Sequence, residues 1–415
     1  MSAFRTEPPA RLAEIRALNQ HLVSAQDAKI LKVVAMVDSL PVRGEADNLI
    51  ASLRPRLAQL RPRRPMNAVR LLLIPIDLVM VVPTEWRRGA LSIPRTAAIC
   101  LARQFADLDP ALMAEVMGQI GGATTDDRLV VGRVGSELWA SAAARLSGTA
   151  PPADWNVATG LSETDHRAIC DAVVLVLRHA PAISRMAEAD TPNAKVIAEI
   201  LTHAATQPEA MGVLISVLLQ WVPGAAPHVL SVTSAHAAPT GLPGRAATER
   251  AVEHVLEGIE AEQDGPQDSA SALPRLRRTV AMLDELQAGS ADRPTRTARI
   301  AATRAKVDSA CRDRFQAQLQ ETVANRLAGG LPQESADIVT LEAAARDIRR
   351  FENVARRISG SDHYDRQLRT TIATLLPRSA DDNESRVDRL RLAEILLGPE
   401  QALQMLLDAG NNGRV

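Results

Sequence analysis

Residues 294–327 have the sequence PTRTARIAATRAKVDSACRDRFQAQLQETVANRL, which contains no glycine and no proline after its first position. Its apolar side chains recur every four residues, at Val307, Cys311, Phe315, Leu319, Val323 and Leu327. Because an α-helix has 3.6 residues per turn, each step of four overshoots a turn by ~40°, and the stripe winds by ~200° in total. The sequence therefore predicts one long helix that packs against more than one neighbour.

A second long helix follows after Gly329, Gly330 and Pro332, residues that end helices. The apolar positions that mark it are Leu341, Ala345, Ile348, Phe351, Ala355 and Ile358. The short connection predicts an antiparallel helical hairpin over 294–358. A homo-oligomer formed through this hairpin is a further prediction.

The same helical spacing recurs through most of the chain. It predicts helices at about 8–39, 47–53, 94–108, 110–121, 125–146, 162–179, 192–206, 208–222, 247–262, 363–377, 384–397 and 399–409. Asp109 and Pro110 are a typical N-cap and first helical residue, and Ser162 with Asp165 resembles a capping box. The predicted fold class is therefore all-α, a multi-helix bundle or an irregular α-solenoid. No fixed-period repeat is present.

Composition shifts suggest two helical regions separated by a linker. Residues 223–246, PGAAPHVLSVTSAHAAPTGLPGRA, are rich in proline and glycine and carry little charge. We predict an N-terminal helical region at 1–222, a linker with one acidic helix at 223–270, and a C-terminal helical domain at 271–415.

Residues 54–95 interrupt the helical pattern with prolines at 55, 62, 65, 75, 83 and 94. Proline removes a backbone donor and fixes φ, so this segment cannot be one helix. The β-branched residues within 71–82 favour extended or broken backbone there. No acidic residue occurs from Asn48 through Ile76, although six arginines lie between these two positions.

The arginines and a nearby tryptophan form the candidate partner-binding site. Its residues are Arg54, Arg56, Arg61, Arg63, Arg64, Arg70, Trp86, Arg87 and Arg88. Residues 54–103 carry a net charge of +8, whereas residues 104–270 carry −12. Three roles follow for these guanidinium groups: bracing the protein's own acidic region, binding an acidic or phosphorylated protein, or contacting the phosphates of a nucleic acid.

The overall composition limits the class of protein. With 415 residues, 46% of them hydrophobic, the chain can bury a core, and its formal net charge of −1 argues against a generally basic nucleic-acid binder. The excess of arginine over lysine, 44 to 4, is typical of a GC-rich bacterial genome. Three distant cysteines favour a reducing compartment, and neither a secretory signal nor an apolar run of spanning length is present, so we predict a bacterial cytoplasmic protein.

No catalytic, cofactor or metal motif emerges from the chain. There is no phosphate-binding glycine loop, nucleophile elbow or zinc-protease motif. His166 and Cys170, four residues apart, could share one metal, but core packing is the favoured interpretation. Asp126–Asp127, Asp381–Asp382 and the SDHYD cluster at 361–365 lie near predicted helix starts and are explained by capping.

We therefore predict no catalytic residues, no cofactor and no metal, and a non-catalytic adaptor or scaffold that binds another protein. A nucleic-acid-binding protein that uses residues 54–88 is the first alternative. An enzyme of unrecognised type, with a site around His166 or His363, is the second.

Overall fold

The computed structural model describes residues 27–38, 65–125, 127–234, 241–264, 269–325, 335–360, 362–373 and 383–404. These residues are overwhelmingly helical, which confirms the predicted all-α fold class. Within these ranges, every helix is too short or too polar to cross a membrane.

The helices and strands follow one another with short connections. The helices are α1 Asp27–Asp38, α2 Ala68–Leu73, α3 Arg95–Leu108, α4 Pro110–Ile120, α5 Arg128–Leu146, α6 Trp155–Thr159, α7 Glu163–Glu188, α8 Ala194–Ala204, α9 Pro208–Trp221, α10 Ala225–Ser234, α11 Gly241–Asp264, α12 Ser269–Ala288, α13 Pro294–Gln318, α14 Ser335–Ser359, α15 Asp362–Ala373 and α16 Asn383–Leu397. A 3₁₀ segment, Ile74–Val79, follows α2, and a π-helical segment, Leu319–Ala324, continues α13. The strands are β1 Met80–Val81 and β2 Ile93–Pro94.

The chain divides into two compact units. Unit 1 contains residues 1–189 and 209–217, and unit 2 contains residues 190–208 and 218–415.

The core of unit 1 is built on the pair α5 and α7. Helix α7 is buried on all sides over residues 172–177, as expected for a helix that is apolar all round. It begins with the predicted capping box of Ser162 and Asp165, and it continues past the predicted end at His179 to Glu188. Helix α7 continues through Pro181 although proline has no N–H and removes one helix hydrogen bond. The burial of Ala180 and Ile183, which are fully buried, outweighs this loss.

Residues 65–95 do not form one helix, as expected, but residues 68–79 are α-helical and then 3₁₀-helical and not extended. Pro75 has no N–H and so cannot donate to the carbonyl of Leu71, and the chain tightens into the 3₁₀ segment at this point. The indole N–H of Trp139 donates to that carbonyl at 2.9 Å, and the ring is fully buried. The two-residue strands β1 and β2 pair in parallel, with Met80 beside Ile93, and Pro65 forms an isolated antiparallel bridge with Thr124.

Unit 2 contains the long helix predicted from residues 294–327. Its stripe residues Val307, Phe315 and Val323 are fully buried, and the helix contacts α11, α12, α14 and α15. Its last described part is π-helical, since the N–H of Asn325 donates to the carbonyl of Gln320. In an α-helix a step of four residues overshoots one turn, but in a π-helix it falls slightly short of one turn. The π-helical segment therefore rotates the apolar stripe in the opposite sense and reduces its winding. Leu327 lies outside the described residues.

Helices α11 and α13 are joined by a ladder of ion pairs. Glu249 pairs with Arg296, Glu253 with Arg299, and Glu260 with both Arg299 and Lys306. Hydrogen bonds from Arg299, Lys306 and Thr303 lower the pKa of Glu260 to about 2. Because the partners advance together along both helices, α11 and α13 run parallel. We call this set the α11–α13 ladder.

Part of the predicted linker is a buried helix. Four apolar residues of α10, Ala225, Ala226, Val229 and Leu230, are fully buried within unit 2. Pro227 lies in the first turn, where N–H groups have no partner within the helix, so proline costs little there. Glu285 accepts hydrogen bonds from the N–H groups of Gly224 and Ala226 at the start of α10. Pro223 and Gly224 therefore mark a helix start.

We expect Gly135→Ala to destabilise unit 1 by about 1–3 kcal/mol, the typical cost of overpacking. A Cβ at this position would lie 2.6 Å from ring atoms of the buried Trp139, which has no room to move. Urea unfolding followed by tryptophan fluorescence measures this change.

Gly118→Ala is the matched control, because it lies inside α4 and a Cβ there meets nothing within 4 Å. It should stabilise the protein by about 0.5–1 kcal/mol through the helix propensity of alanine. Equal stability of Gly135→Ala and the wild type would show that the indole is not confined.

Candidate functional site

Four residues of the predicted partner site are described. They are Arg70, Trp86, Arg87 and Arg88, and they lie in unit 1. The remaining five, Arg54, Arg56, Arg61, Arg63 and Arg64, lie outside the described residues. Trp86, Arg87 and Arg88 belong to the segment between β1 and β2, which we call the 82–92 loop.

The 82–92 loop is held at both ends. The β1–β2 pair closes its base, and two turns inside it are fixed by the hydrogen bonds Glu85 N–H to Val82 O, 3.0 Å, and Ala90 N–H to Arg87 O, 2.9 Å. Near the C-terminal end of the loop, Leu91 is buried against Gly212. A Cβ at position 212 would lie 2.4 Å from the Leu91 side chain. The loop is exposed at residues 82–85 and 87–89 although its backbone is fixed.

Trp86 holds the loop together from inside. Its indole N–H donates to the carbonyl of Ser92 at 3.0 Å, and the side chain is half-buried. The donor of this ring is therefore used within the loop, and Trp86 fixes the backbone that carries its neighbours.

Arg88 pairs with a residue of the acidic region, residues 104–270. This contact is of the kind expected for one of the three roles considered above, bracing of the protein's own acidic region. The Nε and Nη2 of Arg88 donate to Asp165 Oδ1 at 2.8 and 2.5 Å. Burial works to raise the pKa of Asp165, but hydrogen bonds from Ser162 and Arg88 outweigh it and hold the pKa below its usual range. Arg88 thus joins the loop to the start of α7.

The other two arginines differ in their surroundings. Arg70 donates to the carbonyl of Pro65 near the start of α2. Arg87 is exposed at the tip of the 82–92 loop and belongs to none of the ion pairs within the described residues. Among the described arginines of the predicted site, Arg87 is the guanidinium most open to a partner.

The pair His166 and Cys170 lies in the core of unit 1. The thiol of Cys170 donates to the carbonyl of Leu146 at 3.4 Å, and burial raises its pKa to about 11. The ring of His166 lies edge-on against Trp155 at 4.6 Å, and burial lowers its pKa. Among the described residues, no three His, Cys, Asp or Glu come together as metal ligands.

The remaining polar clusters have structural contacts. Asp127 caps α5 by accepting from Val130 N–H, whereas Asp126, Asp381 and Asp382 lie outside the described residues. His363 lies edge-on to the fully buried Tyr364, which packs against Phe315. Asp365 pairs with Arg356 at 2.6 Å.

Unit 2 contains a cavity that sequence reasoning missed. It has a volume of about 330 Å³ and lies between α11, α12, the α13–π helix and α14. We call it the four-helix groove. The residues that line it are Glu262, Gln263, Ala272, Arg275, Leu276, Thr279, Ala310, Cys311, Arg314, Ala317, Gln318, Glu321 and Phe351. The helical stripes indicate which residues face neighbouring helices, but no local signal shows where four packed helices leave a gap.

Comparison of the chain with protein-family models, with curated proteins and with solved structures finds no match.

We expect Arg88→Gln to loosen the 82–92 loop with little effect on overall stability. The ion pair is partly exposed, with 59% of the Arg88 side chain accessible, so its loss should cost no more than about 1 kcal/mol. Amide hydrogen exchange should become faster at residues 82–92. Arg87→Gln, one residue away, should leave exchange unchanged; equal effects of the two variants would contradict the anchoring role of Arg88.

His166 should make the stability of the protein fall in mild acid. Its pKa in the folded protein lies below the ordinary value of 6.5, so the unfolded chain binds the proton more readily as the pH falls below that value. The stabilisation is therefore complete above about pH 6.5 and is lost below it.

Urea unfolding of the wild type and of His166→Gln between about pH 7.5 and about pH 5 tests this prediction. The difference between their free energies of unfolding should change across this range. A constant difference would show that the imidazole has the same proton affinity in both states.

Proposed function

We propose that the protein is a non-catalytic, cytoplasmic bacterial adaptor that binds another protein through the 82–92 loop. The observation that carries this proposal is a fixed loop with an exposed tip. Trp86 and Arg88 secure the backbone from either side of Arg87, whose side chain is exposed.

The fixed backbone lowers the cost of binding. A loop that is already ordered loses less conformational freedom when a partner docks, and binding residues are commonly found on loops held by a rigid scaffold. Here the internal hydrogen bonds and the buried Leu91 supply that order.

The exposed side chains define the partner's chemistry. The exposed part of the same loop contains Arg87, Glu85, Pro83 and Val82, of which Val82 is 48% exposed. A guanidinium binds carboxylate or phosphate oxygens through paired donors, and the neighbouring apolar surface favours an apolar contact. These features support an acidic or phosphorylated protein segment with at least one apolar residue.

We expect a photo-cross-linking amino acid at position 82 to capture one reproducible protein in cells of the source organism. The same residue at Val157, which is 91% exposed elsewhere in unit 1, is the control for non-specific capture. Capture from position 82 should be lost in Arg87→Glu and kept in Arg128→Glu, which alters an exposed arginine at the start of α5.

The captured protein should then bind the purified wild type more tightly than Arg87→Glu, by about tenfold at low salt, and the difference should shrink at about 1 M salt. Capture that is indifferent to Arg87 would overturn the proposal. Recovery of nucleic acid instead, with an affinity that falls steeply with salt, would favour the nucleic-acid alternative.

A further inference from the structure

The four-helix groove of unit 2 has an apolar, uncharged floor. Its floor residues Leu276, Cys311 and Phe351 are 6%, 3% and 5% exposed. Burial, with a smaller contribution from Asp308, raises the pKa of the Cys311 thiol to about 12, so the thiol is neutral at physiological pH. This floor favours an apolar group in the groove.

The charged side chains around the groove offer little to a charged ligand. Glu262, Arg275 and Arg314 each interact with other groups of the protein. The guanidinium carbon of Arg314, for example, lies 5.7 Å from the centroid of the Phe351 ring. Glu321 is exposed, so water screens its charge. A charged ligand would lose part of its hydration in the groove without gaining a buried, unpaired charge of opposite sign, so charge on the ligand is disfavoured.

Three uncharged polar side chains also line the groove. Gln263 donates a hydrogen bond to the carbonyl of Ile259. The side chains of Thr279 and Gln318 form no hydrogen bond within the part of the chain that the structure describes. Thr279 belongs to α12 and is 5% exposed, whereas Gln318 is the last residue of α13 and is half-buried. The groups left for a ligand are therefore a hydroxyl and a carboxamide.

The free hydroxyl of Thr279 is unusual for a buried threonine inside a helix. Such hydroxyls commonly donate to the carbonyl four residues earlier, as those of Thr233 and Thr248 do in the same unit. An unpaired polar group in a buried position is unfavourable, so a ligand group that forms a hydrogen bond with Thr279 is stabilised there.

The size of the cavity fits a small ligand. Its volume of about 330 Å³ lies at the lower end of the range of about 300–1,000 Å³ for sites that bury small molecules. The π-helical segment lies at one wall, since Glu321 belongs to it, and such segments often occur at functional sites.

We propose that the four-helix groove binds a small uncharged molecule that has an apolar body and one hydroxyl or amide group. The apolar body rests on Leu276, Cys311 and Phe351, and the polar group forms hydrogen bonds with Thr279 and Gln318. This site belongs to unit 2 and does not depend on the role of the 82–92 loop in unit 1.

Ligand-detected NMR titration of the full-length protein tests the chemistry of the ligand. The four probes share one carbon skeleton: phenylpropanol and phenylpropanamide are neutral, whereas phenylpropionate and phenylpropylamine are charged. We expect saturable binding of at least one neutral probe, with both charged probes weaker than it by about tenfold, because the groove does not repay their lost hydration. Saturable binding of neither neutral probe, or a charged probe that binds as tightly as the best neutral one, would overturn the proposal.

Thr279→Val tests the hydrogen bond to the ligand. Valine keeps the shape of threonine and removes the hydroxyl, so the variant should weaken binding of the best neutral probe by about three- to tenfold. Thr370→Val is the matched control, because Thr370 is exposed on α15, outside the groove, and donates to the carbonyl of Arg366. It should leave binding unchanged. Equal affinities of Thr279→Val and the wild type would refute the assigned contact.

Ala317→Trp tests the location of the site by filling it. Ala317 lines the groove and is exposed, so a tryptophan at this position can enter the cavity. This variant should abolish binding of the neutral probe, whereas Ala302→Trp, at an exposed position of the same helix outside the groove, should not. Far-UV circular dichroism checks that both variants are folded. Binding that survives Ala317→Trp would show that the probe binds elsewhere, and if this variant does not fold, Thr279→Val still decides the result.

Discussion

The contact between Trp139 and the carbonyl of Leu71 is the interaction on which unit 1 depends. Aromatic residues make up only 2% of the chain, so one large buried ring fills space that smaller side chains would leave empty. Pro75 deprives the Leu71 carbonyl of the donor that a continuing α-helix would supply, and the N–H groups of Ile74 and of the Trp139 indole donate to it instead. Gly135, one turn before Trp139, leaves room for the ring. This arrangement ties α5 to the end of α2, where the chain turns into the 3₁₀ segment that leads to β1.

Local features of the sequence predicted many of the helices, although no helix was predicted at α12 and extended or broken backbone was favoured within 71–82. The four-residue stripe of α13 and the caps formed by Asp109 and Ser162 depend on neighbouring residues alone, so they could be identified without knowledge of the fold. The start of α10 was harder, because Pro223 and Gly224 are typical of both linkers and helix starts. The distinction comes from Glu285, which is distant in sequence and accepts hydrogen bonds from the first turn of α10.

The candidate sites show the same limit. Composition left an acidic region of the protein as one of three possible partners for the arginines of residues 54–88, and only the fold shows that Asp165 pairs with Arg88. The exposure of Arg87 is likewise visible only in the fold. Its neighbours Trp86 and Arg88 donate hydrogen bonds to Ser92 and Asp165, whereas the side chain of Arg87 is exposed. The four-helix groove is wholly a product of packing, because its lining residues come from four helices that are separate in the sequence.

The α11–α13 ladder has a consequence for how copies of this chain can associate. All of its acidic groups belong to α11 and all of its basic groups to α13, so two copies of the same helix would bring like charges together along this face. An α11 helix is therefore matched electrostatically to an α13 helix and discriminates against another α11. If two molecules exchanged helices, the α11 helix of one molecule could pair with the α13 helix of the other, because acidic groups would still face basic groups. Pairing of α11 with a second α11, or of α13 with a second α13, is disfavoured.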